Sequence, residues 1–204
     1  MATEITNFKD IIKVSPQGVR LKGEKLSTVF PGVRTLITER CIEKRVEKIA
    51  EQIVKDFKGD IYCVVVLQGG MIFFSDLSRR LAEATKKHVY YTSIKAKSYE
   101  GTKSTGKITI GHDCGDIAGK DVLIVEDIID TGITMSLLMK YLKEEKKAKS
   151  VKLCAILNKP SRRVREVKID YIGFEVPDLF VVGYGLDYNQ QYRCLPFIGV
   201  ISKS

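Results

Sequence analysis

The sequence predicts an α/β fold with a mostly parallel, twisted sheet flanked by helices. Three observations predict it. Two apolar runs, Ile61–Leu67 and Val122–Val125, lack the alternation of a half-solvated strand and read as strands covered on both faces. Each leads through a Gly-containing turn into a helical apolar repeat, the order that builds a parallel sheet. Both turns, at Gly69 and Gly132, thus fall at carboxyl ends of strands, where open α/β sheets bind ligands.

Taken in order, the first thirty-odd residues read as irregular, with Pro16, Gly18, Gly23, Pro31 and Gly32 as punctuation. A helix is expected from about Thr38 to Phe57. Its apolar residues Ile42, Val46, Ile49, Ile53, Val54 and Phe57 recur at three- and four-residue steps. Thr38 is its expected N-cap and Gly59 its stop. After the strand Ile61–Leu67 and the turn Gln68-Gly69-Gly70, a helix should run to about Ala84. Val89–Ile94 reads as a strand, Tyr99–Lys107 as a polar loop and Ile108–Ile110 as its returning strand. The strand Val122–Val125 runs into Glu126-Asp127-Ile128-Ile129-Asp130-Thr131-Gly132-Ile133-Thr134, and Met135–Lys146 should be helical. Val151–Leu157, Tyr171–Phe174 and Phe180–Tyr184 read as later strands.

The 204 residues carry 34 Lys+Arg against 25 Asp+Glu, a net charge of +9, with 44% hydrophobic and 29% charged residues. That is the balance of a globular protein and not of a disordered or collagen-like chain. With no repeat, low-complexity stretch or linker, a single domain over residues 1–204 is expected, burying roughly 70% of its unfolded surface. The longest clean apolar run, Ile61–Leu67, is far shorter than the roughly 20 residues of a spanning helix. The amino terminus lacks a basic-then-apolar leader. The terminal Ser202-Lys203-Ser204 approaches a peroxisomal tail without its final Leu. The five cysteines are scattered and odd in number, against a disulfide framework and against a zinc site. Cys63 and Cys154 sit in apolar runs and read as core thiols. A cytoplasmic location fits. The basic excess favours anionic partners without choosing among nucleic acid, nucleotide or acidic metabolite. Much of it crowds Lys140–Lys152 and reads as a solvated helix end.

The chemistry concentrates in Val122–Thr134. A buried strand delivers Glu126, Asp127 and Asp130 to one end, and Thr131, Gly132 and Thr134 follow before a helix. A helix start offers unpaired N–H groups and the positive end of the dipole, so it favours phosphate. Carboxylates beside a phosphate cradle repel it unless they face something else. Vicinal hydroxyls of a ribose or a hydrated Mg²⁺ would suit Glu126 and Asp127. Asp130 is then a candidate general base or acid. A sugar phosphate with free hydroxyls, bound with Mg²⁺, satisfies each part. Leu67-Gln68-Gly69-Gly70 is a second strand-to-helix turn fit for an anion.

Val122–Gly132 resembles the phosphoribosyl-pyrophosphate motif of the type I phosphoribosyltransferase family. Three further segments resemble that family, on its 6-oxopurine side. They are Phe180–Asn189 (purine side), Lys97-Ser98-Tyr99 with Ser104-Thr105-Gly106 (mobile loop) and Val66–Gly70 (pyrophosphate loop). The resemblance implies a small hood formed by the N- and C-terminal segments. It implies an enzyme of purine salvage that joins hypoxanthine or guanine to phosphoribosyl pyrophosphate, giving the monophosphate and pyrophosphate; xanthine stays open. Glu126 and Asp127 would hold the ribose hydroxyls and, with Asp187, Mg²⁺. Asp130 would exchange the proton of purine N7. Thr131, Gly132 and Thr134 would cradle the 5′-phosphate and Ile128, Ile129 and Ile133 would also bind substrate, while Leu67, Gln68 and Gly69 would receive pyrophosphate, with a cis peptide before residue 68. Lys159 would donate to the 6-oxo group, Phe180 stack on the base, Val181 touch it through its backbone and Arg193 bind pyrophosphate. Ser98 and Tyr99 would open a loop that closes over the site. Gln68 departs from members that carry Lys there, which removes a cation. The expected partners are the sugar pyrophosphate, 6-oxopurines and their monophosphates, in a homodimer or homotetramer, with no nucleic acid and no membrane.

Two other readings remain at this level: a nucleotide- or RNA-binding regulator on the same fold, and a transferase for another base. Gly101–Lys107 reads G-T-K-S-T-G-K, most of a Walker A pattern, but Ile108 replaces the Ser or Thr and a strand follows where a helix should.

Overall fold

The computed structural model describes residues 2–5, 7–8, 11–24, 30–98 and 108–201, with the side chains of Lys97 and Ser98 left out. The loop from Tyr99, the Walker-like stretch and the Ser-Lys-Ser tail lie outside the described residues, as does the side chain of Ser98.

The elements in chain order are β1 (Thr3–Ile5), β2 (Ile12–Lys13), β3 (Val19–Leu21), β4 (Val33–Ile37), α1 (Glu39–Asp56), β5 (Ile61–Val66), α2 (Gly70–Ala84), β6 (Val89–Ser98), β7 (Ile108–His112), β8 (Asp121–Ile129), α3 (Ile133–Glu144), β9 (Ser150–Asn158), β10 (Tyr171–Glu175), β11 (Val181–Val182) and β12 (Ile198–Ile201). The larger sheet has the order β2-β10-β9-β8-β5-β6-β7. All its pairings are parallel except β6 with β7.

The lack of alternation in the strands now has its cause. Cys63, Val65, Leu123, Val125, Cys154 and Ile156 pack with α1 and α2 on one face. Val64, Val66, Val122, Ile124, Leu153 and Ala155 pack with α3 residues Met135, Leu138 and Leu142 on the other. Successive side chains still alternate, but both faces are covered, so both must be apolar. Cys63 and Cys154 are buried as expected, and so are Cys41 and Cys114.

α1 begins as predicted: the Thr38 hydroxyl accepts from the Cys41 N–H at 3.3 Å. It ends at Phe57, whose N–H returns to the Ile53 carbonyl at 3.0 Å, two residues before Gly59. Arg45, on its buried face, donates to the Ile172 and Phe8 carbonyls at 2.6 and 2.8 Å and fastens the N-terminal segment to β10.

Several expectations need correction. The first residues are not irregular throughout: β1, β3 and β4 join β12 and β11 in a second sheet of order β1-β3-β4-β12-β11, the hood of N- and C-terminal segments. These strands are too short to print a repeat. β8 continues to Ile129, so Glu126 and Asp127 are strand residues, because β8 pairs with β9 as far as Ile129 against Asn158. α3 starts at Ile133, two residues early. Only Val181–Val182 of the stretch Phe180–Tyr184 is strand. Among the described residues, no helix is long and apolar enough to cross a membrane. Lys146, Lys149 and Lys152 pair with Asp113, Asp121 and Asp56, tying neighbouring elements together.

Candidate active site

A cavity of about 650 Å³ opens at the carboxyl ends of β5, β6 and β8. Its wall contains Leu67, Gln68 and Gly69, the run Glu126–Gly132, Thr134 and Arg193, so the two turns and the acidic segment face one space. The register of β5 against β8 brings them together: Val65 opposite Val125 is the last pair of these two strands, after which β5 ends at Val66 while β8 runs on along β9 to Ile129.

The approach of the two loops is close. A Cβ at Gly69 would lie 1.6 Å from Asp127 Oδ2. Asp127 Oδ1 accepts from the Ile128 N–H at 2.7 Å, and Glu126 Oε1 from the Asp127 N–H at 3.0 Å. Burial, and then the charge of Asp127, push Glu126 well above the usual carboxylate range. Asp127 is partly open to the cavity. The Leu67–Gln68 peptide is cis, as the resemblance implied.

The helices behind the turns start without side-chain caps, at Gly69 for α2 and at Gly132 for α3. A glycine at each cap position brings no side chain of its own to the first turn, and at α3 the Ile133 N–H reaches the Thr131 hydroxyl at 3.5 Å. Gly132 has φ +78°, and a Cβ there would lie 2.2 Å from the Arg165 carbonyl. That carbonyl belongs to a brace behind the loop. Val164 and Arg165 N–H groups donate to the Thr131 carbonyl at 3.0 Å each, and Arg163 donates to the Asp130 carbonyl at 2.8 Å and to the Asn158 side chain.

Asp130 Oδ1 accepts from Arg162 Nε at 2.8 Å, and Asp178 stands 3.7 Å from the same guanidinium. Lys159 leaves the end of β9 with its N–H on the Ile129 carbonyl at 2.9 Å, and it is buried. Burial lowers its ammonium below the usual lysine value, while the charges of Asp130 and Asp178 oppose that shift. Lys159, Phe180, Val181 and Asp187 are not in the wall of the large cavity. Phe180 is 57% exposed and meets Tyr188 edge-on at 5.6 Å, whereas Val181 is buried in β11. Asp187 pairs with Arg193 at 2.7 Å and accepts from the Gln190 N–H at 2.8 Å. Ile133 is the first residue of α3.

Sequence reasoning missed Lys95, Ala96, Met135 and Gln190, which also line the cavity. Lys95 and Ala96 extend β6 past the predicted Ile94, and only the register of that strand could have placed them. Arg162 and Arg163 were missed too, although two arginines just after Lys159 were a visible signal.

Among the described residues, no three carboxylate, thiol or imidazole side chains converge to hold a metal. Glu126, Asp127 and Asp187 are hard oxygen donors of the kind Mg²⁺ takes together with water and substrate phosphates, and not as an all-protein cage. The residues present fit such a shared ion.

The phosphoribosyl transferase domain family matches residues 34–189. A hypoxanthine-guanine phosphoribosyltransferase of Staphylococcus aureus (strain Mu50) is 40% identical over 169 residues, 81% of this chain and 92% of its own. The protein of the same name from Bacillus subtilis (strain 168) is 39% identical over 174 residues, 84% and 94% of the two chains. The crystal structure of a hypoxanthine phosphoribosyltransferase from S. aureus superposes with a TM-score of 0.78 at 37% identity, covering 87% of this chain and 96% of the other. That of a Bacillus anthracis hypoxanthine-guanine phosphoribosyltransferase gives 0.75 at 40%, covering 82% and 97%. With its cavity at the strand ends and this similarity along most of its length, the chain belongs to the phosphoribosyltransferase family, on the hypoxanthine-guanine side of it.

Proposed function

We propose that this chain, as one domain, transfers the phosphoribosyl group of phosphoribosyl pyrophosphate to hypoxanthine or guanine, giving IMP or GMP and pyrophosphate. The observation that carries the reading is one cavity of about 650 Å³ in which two glycine-capped helix starts and the carboxylates Asp127 and Asp130 face each other. Two anion cradles separated by hydroxyl acceptors match a sugar with phosphate groups at both ends.

The Thr131–Thr134 turn takes the 5′-phosphate, Asp127 with Glu126 the ribose hydroxyls, and Gln68–Gly69 with Arg193 the pyrophosphate. The C1′–O bond breaks with its electron pair leaving on pyrophosphate, and a base nitrogen forms the new bond to C1′. Asp130 accepts the proton the base gives up. Arg162 holds one of its oxygens at 2.8 Å and leaves the other available. Such a group contributes roughly 10²–10⁴-fold, with charge stabilisation of the ribosyl cation and the departing pyrophosphate adding to it. Lys159 faces the 6-oxo group, an acceptor, and rejects the 6-amino group of adenine. Phe180 and Val181 flank the base, and Ser98 and Tyr99 take part in binding the substrate. Asp127, Glu126 and Asp187 would hold a Mg²⁺ ion, which would supply neutralising charge for the pyrophosphate. We further propose a homodimer or homotetramer in the cytoplasm.

The test is Mg²⁺-dependent pyrophosphate release with hypoxanthine, guanine, xanthine and adenine in parallel, beside Asp130→Asn. Turnover with the 6-oxopurines, absent with adenine and at least 10²-fold slower in the variant, supports the reading. A folded protein that binds the sugar pyrophosphate but turns over no purine overturns it in favour of a regulator.

A further inference from the structure

The two halves of the proposed pyrophosphate site come from distant parts of the chain. Gln68 and Gly69 precede α2, while Asp187 and Arg193 lie on the segment after β11. Arg193 donates to the Gly185 carbonyl at 2.7 Å, and its own carbonyl accepts the Gly185 N–H at 2.9 Å, so Gly185 and Arg193 move as one unit. Gly185 packs directly on the first half: a Cβ there would lie 2.1 Å from the Gly69 carbonyl. Something must hold this contact in register.

Tyr184 is placed to do so. It is buried, and its hydroxyl donates to Asp76 Oδ2 at 2.7 Å. Asp76 lies on α2, the helix that begins at the Gly69 turn, and its other oxygen pairs with Arg79 at 2.9 Å one turn further on. Tyr184 reaches α2 from a contorted backbone. It has φ +52° between Gly183 at +91° and Gly185 at +102°. A bulky residue in the left-handed region is uncommon and persists where its surroundings over-determine it. Burial, with Asp76 opposite, pushes the phenol far above its usual range, so it stays a donor at every working pH.

We propose that Tyr184 and Asp76 form a strut that fixes the Asp187–Arg193 segment against the Gln68–Gly69 turn, making both positioning residues for pyrophosphate recognition. Neither lines the large cavity. The inference rests on the assignment of pyrophosphate to these two segments, made above. The side chain of Asp76 is 44% exposed, so removing the phenol hydroxyl strands no buried charge, and the strut acts on geometry more than on folding.

Tyr184→Phe keeps the ring and removes the donor. It should raise KM for phosphoribosyl pyrophosphate about tenfold, with KM for the base and kcat within about twofold. Asp76→Ala should do the same, Asp76→Asn, whose amide oxygen still accepts, should restore near-normal values, and the Tyr184→Phe/Asp76→Ala pair should be no worse than either single change. Calorimetric binding of pyrophosphate, with melting curves, runs beside the kinetics. Effects that add, KM rising equally for both substrates, or activity lost only in step with folded protein overturn the strut. Should the wild type turn over no purine, the proposed reaction fails on its own. The strut then stands if Tyr184→Phe still weakens pyrophosphate binding by a folded protein and falls if it does not.

Discussion

Replacing Gly69 by alanine tests the closest contact in the site. The backbone does not require glycine there: φ −59° and ψ −42° are ordinary helical values. The obstacle is Asp127, whose Oδ2 would lie 1.6 Å from the new methyl. A carboxylate on a short flexible stem can turn away, whereas a backbone carbonyl cannot. Turning it breaks the 2.7 Å bond from the Ile128 N–H to Oδ1. A hydrogen bond to a charged group contributes about 1.5–3 kcal/mol. At about 1.4 kcal/mol per factor of ten, affinity for phosphoribosyl pyrophosphate should fall roughly 10- to 150-fold if that orientation is needed for the ribose. The melting temperature should fall only by what that bond contributes, about 3–12 °C, since no backbone is displaced. Isothermal titration with the sugar pyrophosphate and Mg²⁺, beside a thermal melt, reads both. Gly185→Ala is the contrast, because its methyl would strike the Gly69 carbonyl from φ +102°, so binding should drop and the melting temperature should drop further. Wild-type affinity in a well-folded Gly69→Ala protein would refute the role given to Asp127. A melting loss equal to that of Gly185→Ala would refute the claim that only a side chain has to move.

Lys159→Met should abolish most turnover with 6-oxopurines while raising the melting temperature by a few degrees at pH 7. The buried ammonium has a lowered pKa, so folding is penalised while both states are protonated. The penalty is relieved as pH rises through the folded value towards about 10.4, and the variant's advantage should therefore shrink at pH 9.5. Asp56 is held below the usual carboxylate range by the Tyr171 hydroxyl and then Lys152. Its contribution is present above about pH 3.9 and lost as pH falls through the folded value. Half-exposed as it is, Asp56→Asn should cost only about 1–4 °C at neutral pH and nothing in strong acid. Cys194 is exposed and the other four cysteines are buried, with the Cys63 thiol pushed up to about 12. An alkylating reagent counted by mass spectrometry should label one thiol in the folded protein and five after unfolding.

The legible parts of the sequence were those whose physics is local. α1 announced itself through repeated apolar steps and the Thr38 cap. β5 and β8 did so through apolar runs that only a doubly covered strand tolerates. The acidic strand end with its threonines named the site because carboxylates and a phosphate cradle so close together need a special ligand. What stayed hidden was set at a distance. β1, β3 and β12 hold three or four residues each, too few for a period, and exist because their edges find one another. Lys95 and Gln190 reach the cavity only because β6 lies beside β5 and the segment after β11 folds back. Asp130 was visible as a candidate acid or base, but its partner Arg162, 32 residues on, was not.

The sequence by itself determined the fold class, the two glycine-containing turns at strand ends and the carboxylates between them, since hydrophobic period, turn chemistry and charge are properties of short stretches. Tertiary structure alone decided that Gly69 abuts Asp127, that Gly185 abuts Gly69 and that Tyr184 reaches Asp76. Those contacts join residues about 60 to 120 positions apart, and a one-dimensional pattern carries no information on which surfaces packing will press together.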